Sequence, residues 1–290
     1  VSLPHLDVLA LLQQFGVHPD KSLGQNFLVD ETALAQVIDA AQISPQDTIL
    51  EVGPGIGNLT RLLAHVASRV IVVELDSRLL APLKYVVRSF QNVEIVSGDI
   101  LSLEISRLVL SAGYLVVANI PYNITSALIR HLLESPQPPR RLVLTIQREV
   151  AHRICAQPGN MSLLALSVQV YGRPQIIAHI PTGAFFPPPK VDSSIIRIEL
   201  YNSPLIPLEV LDTFFQLVKA GFSQKRKTLR NALSAGLHLS PPRIERLLTA
   251  VNIDPMRRAE TLSIAEWHLL TEAYLLLSGD QSQELSPNPE

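Results

Sequence analysis

The stretch Ile49-Leu50-Glu51-Val52-Gly53-Pro54-Gly55-Ile56-Gly57 decides how this chain is read: an apolar run breaks into three glycines spaced two apart, and a helical pattern follows. Ile49, Leu50 and Val52 suit a parallel strand buried on both faces. The glycines permit a sharp turn and a closer approach of backbone to ligand than any side chain allows. Asn58-Leu59-Thr60 then opens a helix whose N-terminus faces the same ligand. The alternative is a plain Gly/Pro turn joining a strand to a helix.

The glycine spacing selects the kind of ligand. A dinucleotide fingerprint requires Gly-x-Gly-x-x-Gly, but counting from Gly53 puts Asn58 at the third glycine and counting from Gly55 puts Thr60 there. No Gly-Lys-Ser/Thr follows, which excludes a phosphate-binding P-loop. An acid two residues ahead of Gly-x-Gly-x-Gly resembles motif I of class I S-adenosylmethionine-dependent methyltransferases.

Outward from this loop the pattern alternates. Val70–Leu75, Val93–Val96, Tyr114–Ala118 and Leu142–Ile146 read as buried strands, with helices over Ser77–Ser89 and Thr125–Leu133. Such alternation predicts an α/β doubly wound parallel sheet of the Rossmann-like methyltransferase type, with ligands at the carboxyl ends of its strands. Leu3–Phe15 and Glu31–Ala41 read as helices ahead of it, the second capped by Asp30. Gln175–Ile180 and Ser194–Leu200 read as two more strands, joined by a Pro-rich loop. From Pro207 to about Leu277 only helical periodicity remains. The chain therefore divides into a cofactor-binding catalytic domain over residues 1–203, a smaller all-helical domain over 204–278 and a polar, disordered tail over 279–290.

Composition excludes several classes. At 290 residues the chain can hold two cores, and its 47% apolar content falls in short blocks between turns. Its one cysteine, Cys155, rules out an internal disulfide and suits a reducing cytoplasm. Val1–Phe15 lacks the basic leading segment of a signal peptide, and no apolar run reaches spanning length. No His/Cys/Asp set has metal-ligand spacing. A net charge of -2 argues against a uniformly basic nucleic-acid binder, so any polyanion contact comes from local patches.

Several polar residues fall at predicted strand ends. Glu74 lies about 20 residues beyond the glycine loop, where an acid accepts from ribose hydroxyls. Asp99 is placed to accept from an adenine amine, with Leu75 and Ile100 as apolar neighbours. Either acid also reads as a helix cap. After the fourth strand comes Asn119-Ile120-Pro121-Tyr122, which resembles the Asn/Asp-Pro-Pro-Tyr/Phe motif of methyltransferases acting on exocyclic base amines. The Asn119 side-chain oxygen and the Ile120 or Pro121 carbonyl would hold the amine hydrogens and aim the nitrogen lone pair, while Tyr122 stacks on the base. Phe185 reads either as a second stacking face or as a loop aromatic packed on the core.

Two clusters of cations stand out. Arg140, Arg141, Arg148 and Arg153 are opposed only by Glu149, and Lys219, Lys225, Arg226, Lys227 and Arg230 follow one another with no acid between them. The second run has helical spacing, which would line one helix face. Both favour phosphate contact, Arg148, Arg153, Lys225, Arg226, Lys227 and Arg230 in particular.

As a set these motifs closely resemble the KsgA/RsmA family of ribosomal RNA adenine dimethyltransferases, whose relatives include the Erm resistance methyltransferases. The matching pieces run from Gly24-Gln25-Asn26-Phe27-Leu28 through Glu51–Gly57, Glu74, Gly98-Asp99, Asn119–Asn123, Gln147–Ala151, Pro187–Ser193 and Arg226–Asn231 to Arg257-Arg258-Ala259-Glu260. The resemblance implies a cytoplasmic enzyme, and a monomer is expected. It would dimethylate two adjacent adenosines near the 3′ end of small-subunit (16S) ribosomal RNA, within an immature 30S subunit. It assigns Asn26, Leu28, Gly53, Glu74, Asp99 and Asn119 to S-adenosylmethionine, beside Gly55 of the glycine loop. Two alternatives are an RNA-binding assembly factor with secondary or no methylation, and an Erm-like enzyme acting on large-subunit RNA. The chain departs from the family at Met161 and Leu163-Leu164, where relatives carry Lys and Tyr-Gly in a loop near the substrate entrance.

Overall fold

The computed structural model describes residues 3–284, with side chains through residue 277. Among the described residues nine strands occur in chain order: β1 (Phe27–Leu28), β2 (Thr48–Val52), β3 (Arg69–Glu74), β4 (Val93–Ser97), β5 (Leu115–Asn119), β6 (Arg141–Gln147), β7 (Gly172–Ile180), β8 (Phe185–Phe186) and β9 (Ser193–Leu200). The helices of the first half are α1 (Val8–Gln14), α2 (Glu31–Ala41), α3 (Asn58–Val66), α4 (Leu80–Val87), α5 (Ile105–Leu108) and α6 (Thr125–Leu133). Those of the second half are α7 (Arg148–Ile154), α8 (Leu163–Gln169), α9 (Leu208–Phe222), α10 (Leu229–Leu237), α11 (Pro241–Ala250) and α12 (Ile264–Glu284).

Seven strands form one sheet in the order β4-β3-β2-β5-β6-β9-β7. The first five are parallel, and β9 and β7 join antiparallel at the edge beyond β6. Both faces are covered, as a parallel sheet requires. Ile49, Val70, Val72, Leu115 and Val117 pack with Leu34 and Val37 of α2 and Leu59 and Leu63 of α3, while the alternate positions Leu50, Ile71, Val116 and Leu142 are equally buried. β1 and β8 make a separate antiparallel ribbon that pairs Phe27 with Phe186 and Leu28 with Phe185.

Several elements differ from the sequence reading. α1 starts at Val8 because the Asp7 carboxylate accepts from the Ala10 amide and so caps the helix there, beyond Pro4. The helix expected over Ser77–Ser89 opens with a 3₁₀ turn capped by Asp76, and α4 begins only at Leu80. The start of the Pro-rich loop supplies β8. Each strand of the ribbon is two residues long, too short to give a periodic signal.

The chain clusters into two compact units, Val1–His152 with Gly172–Tyr201, and Arg153–Tyr171 with Asn202–Glu290. Residues 153–171 therefore belong with the helices, not with the first domain to which their position in the chain pointed. Met161, Ala165 and Leu166 are buried among Phe214, Leu217 and Trp267 of the helical core. At Gly221 any Cβ would lie 2.5 Å from the Trp267 ring, so this helix position must be glycine for the ring to seat. Here the unusual Met161 acquires a structural reading: it fills the helical core, its amide donates to the Glu260 carbonyl, and Ser162 caps α8. α12 continues to Glu284, so residues 279–284 are helical and not tail; the remainder of the expected tail lies outside the described residues.

Candidate active site

In the first unit, β2 and β5 are neighbours whose connections run to opposite edges of the sheet. Crevices that accept ligands form at the carboxyl ends of strands at such a switch point. A cleft opens there, lined by the ends of β2 to β5 and by the segment 23–27. The turn after β2 carries three positive φ angles, 68° at Gly53, 61° at Gly55 and 93° at Gly57. A Cβ on Gly55 would also lie 2.8 Å from the Phe27 ring. Gly53 and Gly55 both line the cleft.

Glu74 ends β3 at the cleft and is buried. Its Oε2 accepts from the Gly55 amide at 3.0 Å and its Oε1 from the Asp76 amide at 2.8 Å. Burial raises its carboxyl above the usual range, and those two amides oppose the rise. Each carboxylate oxygen keeps a further lone pair for a ligand hydroxyl. Asp99 also lines the cleft; its Oδ1 accepts from the Leu101 amide, with Leu75 exposed and Ile100 buried nearby. Glu51, ahead of the glycines, stays out of the cleft on β2, and burial pushes its carboxyl up to about 8.

Asn119 is the last residue of β5 and projects into the cleft. Its Nδ2 donates to the Asn26 main-chain carbonyl at 2.9 Å, which fixes the amide orientation and leaves Oδ1 an acceptor with no partner among the described residues. Pro121 lines the cleft, but its carbonyl accepts from the Ile124 amide within the turn. Of the two carbonyls considered from sequence, that of Ile120 is therefore the one with no partner among the described residues. Tyr122 is half-buried at the cleft, with its Oη 2.7 Å from the Oγ of the buried Ser193.

Some residues singled out in the sequence lie elsewhere. Leu28 is buried in the sheet core, and its carbonyl accepts from Asn58 Nδ2 at 2.8 Å, so neither its side chain nor that oxygen lines the cleft. Phe185 is only 3% exposed and belongs to the same core, because its ribbon pairing turns the ring inward; it offers no second stacking face. Arg140 is bound by Asp47 at 2.8 Å and Arg141 by Glu199 at 2.6 Å, partners that no local sequence window contains. Arg148 and Arg153 are exposed. Lys225, Arg226 and Lys227 are exposed in the turn between α9 and α10, not on a helix face, since α9 ends at Phe222 and Lys227 closes a turn onto the Gln224 carbonyl. Arg230, on α10, pairs with Glu245 at 3.4 Å.

Sequence reasoning missed three contributors. Phe27 packs against the glycine turn, Ser193 holds the Tyr122 hydroxyl, and Gln25 bonds to Asp76 at 2.8 Å. Their only signal was membership of the matching segments.

Comparison with known proteins agrees with this geometry. The family model described as ribosomal RNA adenine dimethylase matches residues 18–274. The ribosomal RNA small subunit methyltransferase A of Dehalococcoides mccartyi (strain CBDB1) is 42% identical over 265 residues, covering 91% of each chain. Among solved structures, a dimethyladenosine transferase from Plasmodium falciparum superposes with a TM-score of 0.73 at 27% identity, over 88% of this chain and 98% of that one. The 23S rRNA methyltransferase ErmE superposes with a TM-score of 0.70 at 28% identity, over 86% of this chain and 99% of that one. With the family model spanning nearly the whole chain and a relative above 40% identity, this chain belongs to the ribosomal RNA adenine dimethylase family.

Proposed function

We propose that this protein uses S-adenosylmethionine to dimethylate the exocyclic amines of two adjacent adenosines near the 3′ end of small-subunit ribosomal RNA, acting on immature 30S subunits in the cytoplasm. The observation that carries the reading is the Asn119 amide, pinned through Nδ2 to the Asn26 carbonyl so that its oxygen is left to accept. The higher identity to a small-subunit enzyme than to ErmE favours this RNA over the large-subunit one. No described helix is long and apolar enough to cross a membrane.

The cleft suits that cofactor. Gly53 and Gly55 leave room for a close-lying ligand, Glu74 offers lone pairs to ribose hydroxyls, and Asp99 with Leu75 and Ile100 can receive an adenine. When bound, the sulfonium supplies an electrophilic methyl group. An adenine amine is a poor nucleophile because its lone pair is delocalised into the ring. Asn119 Oδ1 and the Ile120 carbonyl would accept its two hydrogens, favour a pyramidal nitrogen and direct the lone pair. The amine needs no general base before attack, since its proton becomes acidic only once the nitrogen is alkylated. Positioning and electrostatics then carry the rate. Incorporation of labelled methyl groups into immature small subunits but not large ones is the test; label on the large subunit alone would overturn the RNA assignment.

Two further outcomes follow. Glu74→Ala should weaken S-adenosylmethionine binding by roughly 0.5–1.5 kcal/mol for each hydrogen bond lost, more where the carboxylate charge assists. Unchanged affinity by calorimetry would remove Glu74 from the ribose. Replacing two of Lys225, Arg226 and Lys227, none of which has an ion-pair partner among the described residues, should weaken RNA binding and lower the salt slope by about 0.7–0.9 per lost phosphate contact. Cofactor affinity should stay the same. A slope equal to that of the unaltered protein would make this turn an ordinary solvated surface.

A further inference from the structure

The Asn26 carbonyl that orients Asn119 lies on a segment with little regular structure, so something must hold that segment in place. The side chain of Gln25 does so with both ends of its amide. Its Oε1 accepts from the Asp20 amide at 2.7 Å, while its own backbone amide donates to the Asp20 carbonyl at 3.2 Å, closing residues 20–25 into a ring. Its Nε2 donates to Asp76 Oδ2 at 2.8 Å, across 51 residues of chain.

Asp76 is a rigid anchor. It is buried, caps the 3₁₀ turn before α4, and is gripped by Arg78 through Nε at 2.8 Å and Nη2 at 2.7 Å. Arg78 reaches back to Asp20 at 3.2 Å and ties the two ends of the ring to the same point. Hydrogen bonding from Arg78 and Gln25 holds the Asp76 carboxyl down to about 2, so the anchor stays charged across the neutral range. The Asp76 amide in turn donates to Glu74, which ties the anchor to the cleft itself.

We propose that Gln25 is a positioning residue for methyl transfer: by bonding Asp76 it fixes the segment 20–26, and through the Asn26 carbonyl it sets the amide of Asn119. This rests on the amine-orienting reading of Asn119 given above. Gln25 lines the cleft, but both ends of its amide are engaged, Oε1 by the Asp20 amide and Nε2 by Asp76, so it acts by holding the segment, and once the cofactor site is saturated its effect on transfer passes through Asn119.

Three measurements on the full chain test it, with Gln25→Ala and the size-matched Gln25→Met as variants. In the cofactor-free protein, hydrogen exchange at the amides of residues 20–28 should quicken by about tenfold, the factor for one hydrogen bond to a charged acceptor near the low end of its range. The single-turnover rate at saturating S-adenosylmethionine should fall by a similar factor, with RNA affinity unchanged. In an Asn119→Ala background the same Gln25 changes should cost nothing further, since residues acting through one another are not additive. Unchanged exchange, or a full additional loss in that background, would overturn the role of Gln25 while leaving Asn119 as assigned. Full turnover in Asn119→Ala alone would instead overturn the amine-orienting reading, and this inference with it.

Discussion

Asn119→Ala should lower turnover by about 10²–10³-fold at saturating S-adenosylmethionine, the usual consequence of removing one preorganised acceptor from a reacting centre. The loss should exceed that of an ordinary hydrogen bond because Oδ1 gains importance as the nitrogen pyramidalises, and because the Nδ2 bond to Asn26 has already fixed its direction. RNA binding should scarcely change, since most of that affinity comes from phosphate contacts. Asn119→Asp should also fail. It keeps the shape but turns a carboxylate oxygen toward the Asn26 carbonyl, exchanging an attraction for a repulsion. Single-turnover rates with bound immature subunits check both. Near-normal rates for the alanine variant would reduce Asn119 to a turn residue after β5.

Tyr122→Ala should fail differently. Loss of the ring removes roughly 1–3 kcal/mol of base stacking, a factor of about 5–150 in productive capture of the target base. Tyr122→Phe keeps the ring but forfeits the bond to Ser193, so it should lose only about 0.5–1.5 kcal/mol. Fluorescence of 2-aminopurine placed at the target position reads the stacking directly. Equal quenching by wild type and the alanine variant would exclude Tyr122 as the stacking face.

What the sequence made legible was local. The glycine turn, the strand ends carrying Glu74, Asp99 and Asn119, and the change to all-helical periodicity after Pro207 each follow from composition and spacing within a short window, and the fold class follows from their order. What it concealed depends on partners far along the chain. Arg140 and Arg141 looked like free cations because Asp47 and Glu199 lie 93 and 58 residues away. Phe185 left two readings open, and its pairing with Leu28 in a two-residue ribbon selects the buried one. The Lys225–Lys227 run imitates helical spacing but follows the end of α9. Gln25 had no function in the linear reading, because its meaning lies in Asp76.

The most direct test of the account is to incubate the purified protein and S-adenosylmethionine with immature small subunits lacking methylation, and to map the RNA by mass spectrometry. Two adjacent dimethyladenosines near the 3′ end of the small-subunit RNA are expected, formed about 10²–10³-fold more slowly with Asn119→Ala. Tight binding of the subunits with no added methyl groups, or methylation at another base, would contradict it.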